Sequence, residues 1–180
     1  MQWEELKPAL STIARLAAAV DTDVAALARM GFFDSGAPRV LLYPTRRDVR
    51  SAIRAVHKMN LPSTTILMGG FSGLPVPRRS LGLVVAPLPS RRDPDLLRSL
   101  RRTAGVLDDD GLLVLHGPVR RNPLGWGLHL WNVLAHREGG LPSEWDITGW
   151  LLRGGFTRLV RIPGGRGSPV TILQASKNLI

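Results

Sequence analysis

Arginine is the residue type in this sequence with the greatest capacity for binding chemistry. Of the 24 basic residues in 180, only Lys7, Lys58 and Lys177 are lysines, and the formal net charge is +10. A guanidinium group binds phosphate or carboxylate through paired hydrogen bonds and stacks on aromatic rings. Adjacent arginines occur at 46–47, 78–79, 91–92, 101–102 and 120–121. The composition is compatible with an anionic partner, with a solvated arginine-rich surface as the alternative.

Other chemistries have little support in the residue types present. The absence of cysteine excludes disulfides, thiolate zinc sites and a cysteine nucleophile, and it fits a cytoplasmic protein. His57, His116, His129 and His136 show no HxxxH or HxH spacing, so we predict no metal site. His116 follows an apolar run, where we interpret it as a hydrogen-bonded structural histidine. The sequence also contains neither a G-x-S-x-G elbow nor a phosphate-binding P-loop, and we assign no catalytic residue.

From residue 38 onward, short apolar runs alternate with amphipathic segments. The runs predict strands at 39–43, 64–68, 81–86 and 111–115. The segments predict a helix from Asp48 to Lys58 capped by Asp48, one capped by Asp93, one near 126–136 and one over 145–153. All-apolar strands separated by helices indicate a mostly parallel sheet covered on both faces, an α/β fold. The runs at 157–162 and 170–175 predict a C-terminal antiparallel hairpin at one edge.

The first part of the chain differs from this pattern. Residues 2–19 have apolar side chains at helical spacing, and a short helix over 24–30 is expected to end at Gly31. We therefore divide the chain into a helical segment, 1–37, and an α/β domain, 38–180. The sequence shows neither a signal peptide nor an apolar run long enough to cross a membrane, so a cytoplasmic location is expected.

The second half resembles a known family. GLPVPRRSLGLVV (73–85) and TAGVLDDDGLLVL (103–115) resemble the segments around the fourth and fifth strands of class I S-adenosylmethionine-dependent methyltransferases. SEWDITGWLLRGGFTRLVRIP (143–163) resembles the following helix and strand, where the family often shows A-G-F, and VTILQASK (170–177) resembles the last strand. The resemblance covers roughly residues 62–177 and implies a Rossmann-like methyltransferase fold. The helical start is similar to the segment that precedes the catalytic domain in some small-molecule O-methyltransferases.

The resemblance also shows which family features are missing. The family's first strand ends in a glycine-rich turn that lets the backbone approach the cofactor, and its second ends in an acid that binds the ribose. Strand 39–43 is followed by Pro44, Thr45, Arg46 and Arg47, whether it corresponds to the first or the second family strand. Its spacing to the next strand favours the second. Either assignment removes cofactor contacts.

The remaining family positions show the same departure. Gly82 stands where the family often has an acid at the start of the fourth strand. The O-methyltransferases' His-Asp-Trp stretch, with its general base, is replaced by APLPSRRDP. Gly69, Gly70 and Gly73 follow strand 64–68 without leading into a helix, and they are the weak remaining candidates for a cofactor-binding turn.

Three of the arginine pairs follow the carboxyl ends of predicted parallel strands. Because these ends share one edge of a sheet, we expect a basic rim there that binds an anion or a partner. Its members are Arg46, Arg47, Arg91, Arg92, Arg120 and Arg121.

These features predict a methyltransferase-like pseudoenzyme, with no cofactor, that binds a protein partner or forms an oligomer. One alternative is an active methyltransferase completed by a second chain, which would use S-adenosylmethionine. Another is a basic accessory module that binds RNA or another polyanion. Neither a membrane nor a metal is expected as a partner.

Overall fold

The computed structural model describes residues 24–69, 74, 76–88, 94–120, 123–135, 140–163 and 170–177. Its helices are α1 (Val24–Arg29), α2 (Arg46–Lys58), α3 (Leu96–Val106), α4 (Pro123–Ala135) and α5 (Glu144–Arg153). Its strands are β1 (Arg39–Tyr43), β2 (Thr64–Met68), β3 (Leu81–Pro87), β4 (Leu107–Pro118), β5 (Arg158–Pro163) and β6 (Val170–Ser176). The segment 2–19, predicted as a helix, lies outside the described residues. Among those described, no helix is long and apolar enough to cross a membrane.

A single sheet has the strand order β2-β1-β3-β4-β6-β5. The strands β2, β1, β3 and β4 are parallel to one another, and β6 is antiparallel to both β4 and β5. The predicted α/β fold with a C-terminal antiparallel hairpin is therefore confirmed. The hairpin enters with β6 against β4, so the strand at that edge is β5.

The sheet separates two apolar layers, as its alternating side chains require. On one face, Leu41 and Tyr43 pack with Ala52 of α2 and with α1. On the other face, Val40 and Leu42 belong to the cluster that includes buried residues of α3 and α5. All five residues of β1 are buried. The strand is therefore central to the fold, although it is short.

Arg39 shows that part of the arginine content is structural. Its side chain is almost fully buried and donates from Nη1 to the Phe33 carbonyl (3.0 Å) and from Nη2 to the Ser35 carbonyl (2.5 Å). The guanidinium also lies over the Phe33 ring, 5.5 Å from its centroid. A buried guanidinium needs such acceptors. Arg39 thus fastens the segment after α1 to the start of β1.

The GGF sequence at 154–156 closes α5 and starts the return to the sheet. Gly155 has φ +96°, and the backbone amides of Gly155 and Phe156 donate to the carbonyls of Leu152 and Leu151, both at 3.1 Å. These two bonds form a Schellman motif, which requires a left-handed residue at the position of Gly155. A Cβ on Gly154 would lie 2.9 Å from Leu100 Cβ of α3. The two glycines therefore serve a helix end and a close helix contact.

Candidate functional site at the carboxyl edge of the sheet

The strand order reverses between β1 and β3. From β1 the chain crosses to β2 on one side, and β3 and β4 then follow on the other side. Open α/β sheets bind ligands at the carboxyl ends of the strands beside such a reversal. The candidate site is therefore the edge of the sheet at the carboxyl ends of β1 and β3.

The connection from β1 to α2 consists of Pro44 and Thr45 alone. Thr45 is the N-cap of α2, and its hydroxyl accepts from the Asp48 amide (3.2 Å) while donating to Asp48 Oδ2 (2.6 Å). We predicted Asp48 as the cap, which is wrong, because the helix begins two residues earlier and Asp48 lies in its first turn. The Asp48 amide, which could otherwise bind a ligand's anionic group, thus already has the Thr45 hydroxyl as its acceptor. The Asp48 carboxylate also places negative charge at the positive end of the helix dipole.

Removal of this cap should weaken α2 measurably. We expect Thr45→Ala to lower the free energy of unfolding by about 1 kcal/mol, because the Asp48 amide loses its acceptor. Thr45→Ser, which keeps the hydroxyl, is the matched control and should have a much smaller effect. Chemical denaturation of the variants measures both. Equal losses for the two variants would show that the hydroxyl does not cap the helix.

The segment after β2 is tied to the end of β1. The Gly69 amide donates to the Tyr43 carbonyl (2.9 Å), and Gly69 has φ +136°, a conformation that side chains other than hydrogen rarely allow. The candidate glycines Gly70 and Gly73 lie outside the described residues. A ligand-binding role for Gly69 stays a prediction. Its backbone conformation is by itself a sufficient reason for a glycine at this position.

Neither of the two strands that could supply a ribose-binding acid ends in one. β1 ends in Tyr43, which is buried against the α2 side of the sheet, and β2 ends in Met68, which is 57% exposed. Gly82, where an acid is common in the family, is required by packing. A Cβ there would clash with the Ala37 Cβ, and the Gly82 amide donates to the Pro38 carbonyl (2.9 Å).

The histidines of this region lie within the packed structure. His116 is 7% exposed and lies in β4 between Pro87 of β3 and Ile172 of β6. His129 of α4 accepts a hydrogen bond at Nδ1 from the Leu141 amide (3.0 Å). Among the residues that the structure describes, no group of three or more histidines and acids could hold a metal ion.

The predicted arginine rim is only partly within the described structure. Arg46 and Arg47 are exposed at the start of α2, whereas Arg91, Arg92 and Arg121 lie outside the described residues. Arg120 follows β4, and its side chain is only 18% exposed. The structure therefore gives Arg120 surroundings different from those of Arg46 and Arg47.

Arg120 is held by contacts within the chain. Its Nη2 lies 3.2 Å from Asp146 Oδ2, and its guanidinium lies 5.4 Å from the centroid of the Trp126 ring. Asp146 also accepts from the amide and hydroxyl of Ser143, both at 2.8 Å, in a capping box that starts α5. The sequence did not indicate this cluster, although the S-x-x-D spacing of residues 143–146 is typical of a helix start.

Solved structures show what this chain resembles, whereas no family model and no curated protein matches the sequence. It is similar to a methyltransferase of Thermotoga maritima, described as a possible histamine N-methyltransferase, with TM-score 0.58, 13% identity, and 78% of this chain and 82% of that one covered. It is similar to the mitomycin 7-O-methyltransferase MmcR, with TM-score 0.59 and 18% identity. The match covers 94% of this chain and 54% of MmcR. It is also similar to the methyltransferase SibL, with TM-score 0.56 and 17% identity. The match covers 87% of this chain and 48% of SibL.

The last two comparisons show that the chain spans about half the length of MmcR and SibL. At identities of this size, similarity to solved structures establishes the fold alone. That fold agrees with the order of strands and helices described above. The chain has the fold of the class I S-adenosylmethionine-dependent methyltransferases.

Proposed function

We propose that this chain is a non-catalytic protein with a methyltransferase fold, which does not bind S-adenosylmethionine and acts by binding a partner. The observation that carries the proposal is the closed connection between β1 and α2. In this connection, which we align with the family's glycine turn, the Thr45 hydroxyl bonds to both the amide and the carboxylate of Asp48.

The position of β1 supports this interpretation. In doubly wound sheets the first strand lies between the second strand and the strand reached by the crossover. β1 has this place, between β2 and β3. Its spacing along the chain favours the second family strand, and its place in the sheet is also compatible with the first. The glycine turn is then replaced by Pro44 and Thr45, whose side chains obstruct the approach of a cofactor to the backbone.

The chemistry of the edge supports it as well. Neither Tyr43 nor Met68 can accept hydrogen bonds from ribose hydroxyls as a carboxylate does. His116 is only 7% exposed, so its ring is poorly accessible to a methyl acceptor. A fold supports many functions, so the methyltransferase architecture alone does not require methyl transfer.

Thermal unfolding with S-adenosylhomocysteine tests the proposal. A ligand at about a hundred times its Kd stabilises a folded protein by about 2.7 kcal/mol, which raises Tm by several degrees. We expect no rise in Tm with either S-adenosylhomocysteine or S-adenosylmethionine at millimolar concentration. A rise with both, absent with adenosine alone, would contradict the proposal and indicate a functional cofactor site.

A further inference from the structure

The outer edge of the sheet at β2 has a defined hydrogen-bonding face. Two backbone hydrogen bonds lie at the ends of the pairing between β1 and β2. The Arg39 amide donates to the Ser63 carbonyl (3.0 Å), and the Gly69 amide donates to the Tyr43 carbonyl (2.9 Å). Backbone groups of alternate residues in a parallel ladder point to opposite sides. Since residues 63 and 69 bond to β1, the odd-numbered residues of β2 face β1 and the even-numbered residues face outward.

The outward-facing residues are Thr64, Ile66 and Met68, and none of the strands that the structure describes pairs with their backbone groups. The sequence of β2, TTILM, contains neither a charge nor a proline. The opposite edge strand, β5, contains Arg158, Arg161 and Pro163, residue types that prevent further strand pairing. Of the two edges of the described sheet, the β2 edge is therefore the one suited to accept another strand.

An apolar groove adjoins this edge. It has a volume of about 500 Å³ and is bounded by the outer side of α2 and by β2 and the segment before it. Ile53 and His57 line it from the helix, and Leu61, Thr64 and Ile66 line it from the other side. Ile53 is 52% exposed, so an apolar part of the groove is open to a partner. Side chains of an added strand would enter this groove on the same side as α2.

A row of positive charge runs along α2 beside the groove. Arg46, Arg50, Arg54 and Lys58 follow each other at four-residue spacing, and all are exposed. Within the described part of the chain, none of them forms an ion pair. Like charges at this spacing destabilise a helix, so the row opposes the stability of α2 itself. An acidic partner would offset that repulsion.

We infer that the β2 edge and the adjoining groove bind an extended, acidic segment of a partner protein, which adds a strand to the sheet. This inference rests on the proposed function, since it specifies the partner that the non-catalytic fold would bind. Backbone bonds to Thr64, Ile66 and Met68 supply affinity, as in other cases of strand addition. Apolar side chains of the segment fill the groove, and its carboxylates pair with Arg50 and Arg54.

Two other occupants fit the same surface less well. RNA would use the positive charge but not the outward amides and carbonyls of β2. None of the described residues that line the groove is a Phe, Tyr or Trp on which bases could stack. A second copy of the chain, paired through β2, would bring two basic α2 helices near each other. Like charges across an interface disfavour association.

The probe for the test is a labelled peptide that alternates glutamate and valine, and a peptide of the same composition in two blocks is its control. Fluorescence anisotropy measures binding to the full chain. Met68→Pro removes an outward amide without breaking a bond to β1, and Met68→Ala is its matched control. The double variant Arg50→Glu/Arg54→Glu reverses the charge beside the groove. Arg98→Glu/Arg158→Glu makes the same change in net charge at exposed sites outside it.

We expect the alternating peptide to bind and the block peptide to bind at least about tenfold more weakly, since only the former can add as a strand with one apolar face. Met68→Pro and Arg50→Glu/Arg54→Glu should each weaken binding about tenfold or more, whereas each control variant should change it less than about threefold. Unchanged unfolding midpoints for the Met68 variants would confirm that the sheet is intact.

Three results would overturn the inference. One is failure of the alternating peptide to bind the unaltered chain. Another is binding that Met68→Pro does not affect, together with equally tight, steeply salt-dependent binding of oligouridine, which would indicate an RNA surface. The third is concentration-dependent dimerisation in sedimentation that Met68→Pro abolishes. None of these bears on S-adenosylmethionine, so a rise in Tm with that ligand would contradict the proposed function separately.

Discussion

Replacement of Asp146 by alanine is expected to lower the free energy of unfolding by about 3 kcal/mol, because it leaves the guanidinium of Arg120 without its carboxylate in a mostly buried position. Arg120 and Asp146 have side-chain exposures of 18% and 23%. The same substitution removes the acceptor for the amide and hydroxyl of Ser143, so α5 also loses half of its capping box. Urea denaturation with a linear extrapolation measures the loss.

Asp95→Ala is the matched control for this substitution. Asp95 precedes α3 and pairs with Arg98 at 3.6 Å, but both side chains are more than half exposed and Asp95 makes no side-chain capping bond. Exposed pairs of this kind contribute little, so we expect a loss below about 1 kcal/mol. Similar losses for the two variants would show that Arg120 is not held by Asp146, and would leave Arg120 available for the predicted anion-binding rim.

Replacement of Phe156 by alanine is expected to cost about 4 kcal/mol, through lost burial and the cavity that remains. Phe156 is fully buried in the cluster on the α3 and α5 side of the sheet. The Schellman motif at Gly155 fixes its position, so the surrounding backbone has little freedom to close the cavity. Chemical denaturation again measures the change.

Leu152→Ala provides the control in the same helix. Leu152 is 53% exposed, so its truncation should cost less than about 1 kcal/mol. A small loss for Phe156→Ala would show that the GGF segment does not anchor the hairpin. It would also remove the structural reason for the GGF part of the family resemblance.

Much of the fold could be predicted because the apolar runs are short and continuous. β1 and β2 have the predicted limits. β1 is buried along its whole length, and such strands of a parallel sheet contain few polar residues. The helix limits were less accurate. α2 begins two residues before Asp48, because the hydroxyl of Thr45, the residue directly before the helix, caps it. The predicted helix after β3 begins at Leu96, and Asp93, its predicted cap, lies outside the described residues.

The site was harder to predict, because it depends on contacts between distant parts of the chain. The sequence showed that the glycine turn and the acid were missing, but not that β1 lies next to β3. It also could not distinguish Arg120, which pairs with Asp146, from Arg46 and Arg47, which are exposed. The row along α2 was missed, although the four-residue spacing of its basic residues is visible in RRDVRSAIRAVHK. A helix-face analysis would have found it.

Calorimetric titration of the purified chain with S-adenosylmethionine tests the central claim most directly, because it measures cofactor binding without requiring a methyl acceptor. We predict no binding up to millimolar concentration, since the Thr45–Asp48 cap closes the connection where the cofactor would lie. Micromolar binding to one site per chain would contradict the account. The missing glycine turn would then have a functional substitute, and the search would move to a methyl acceptor.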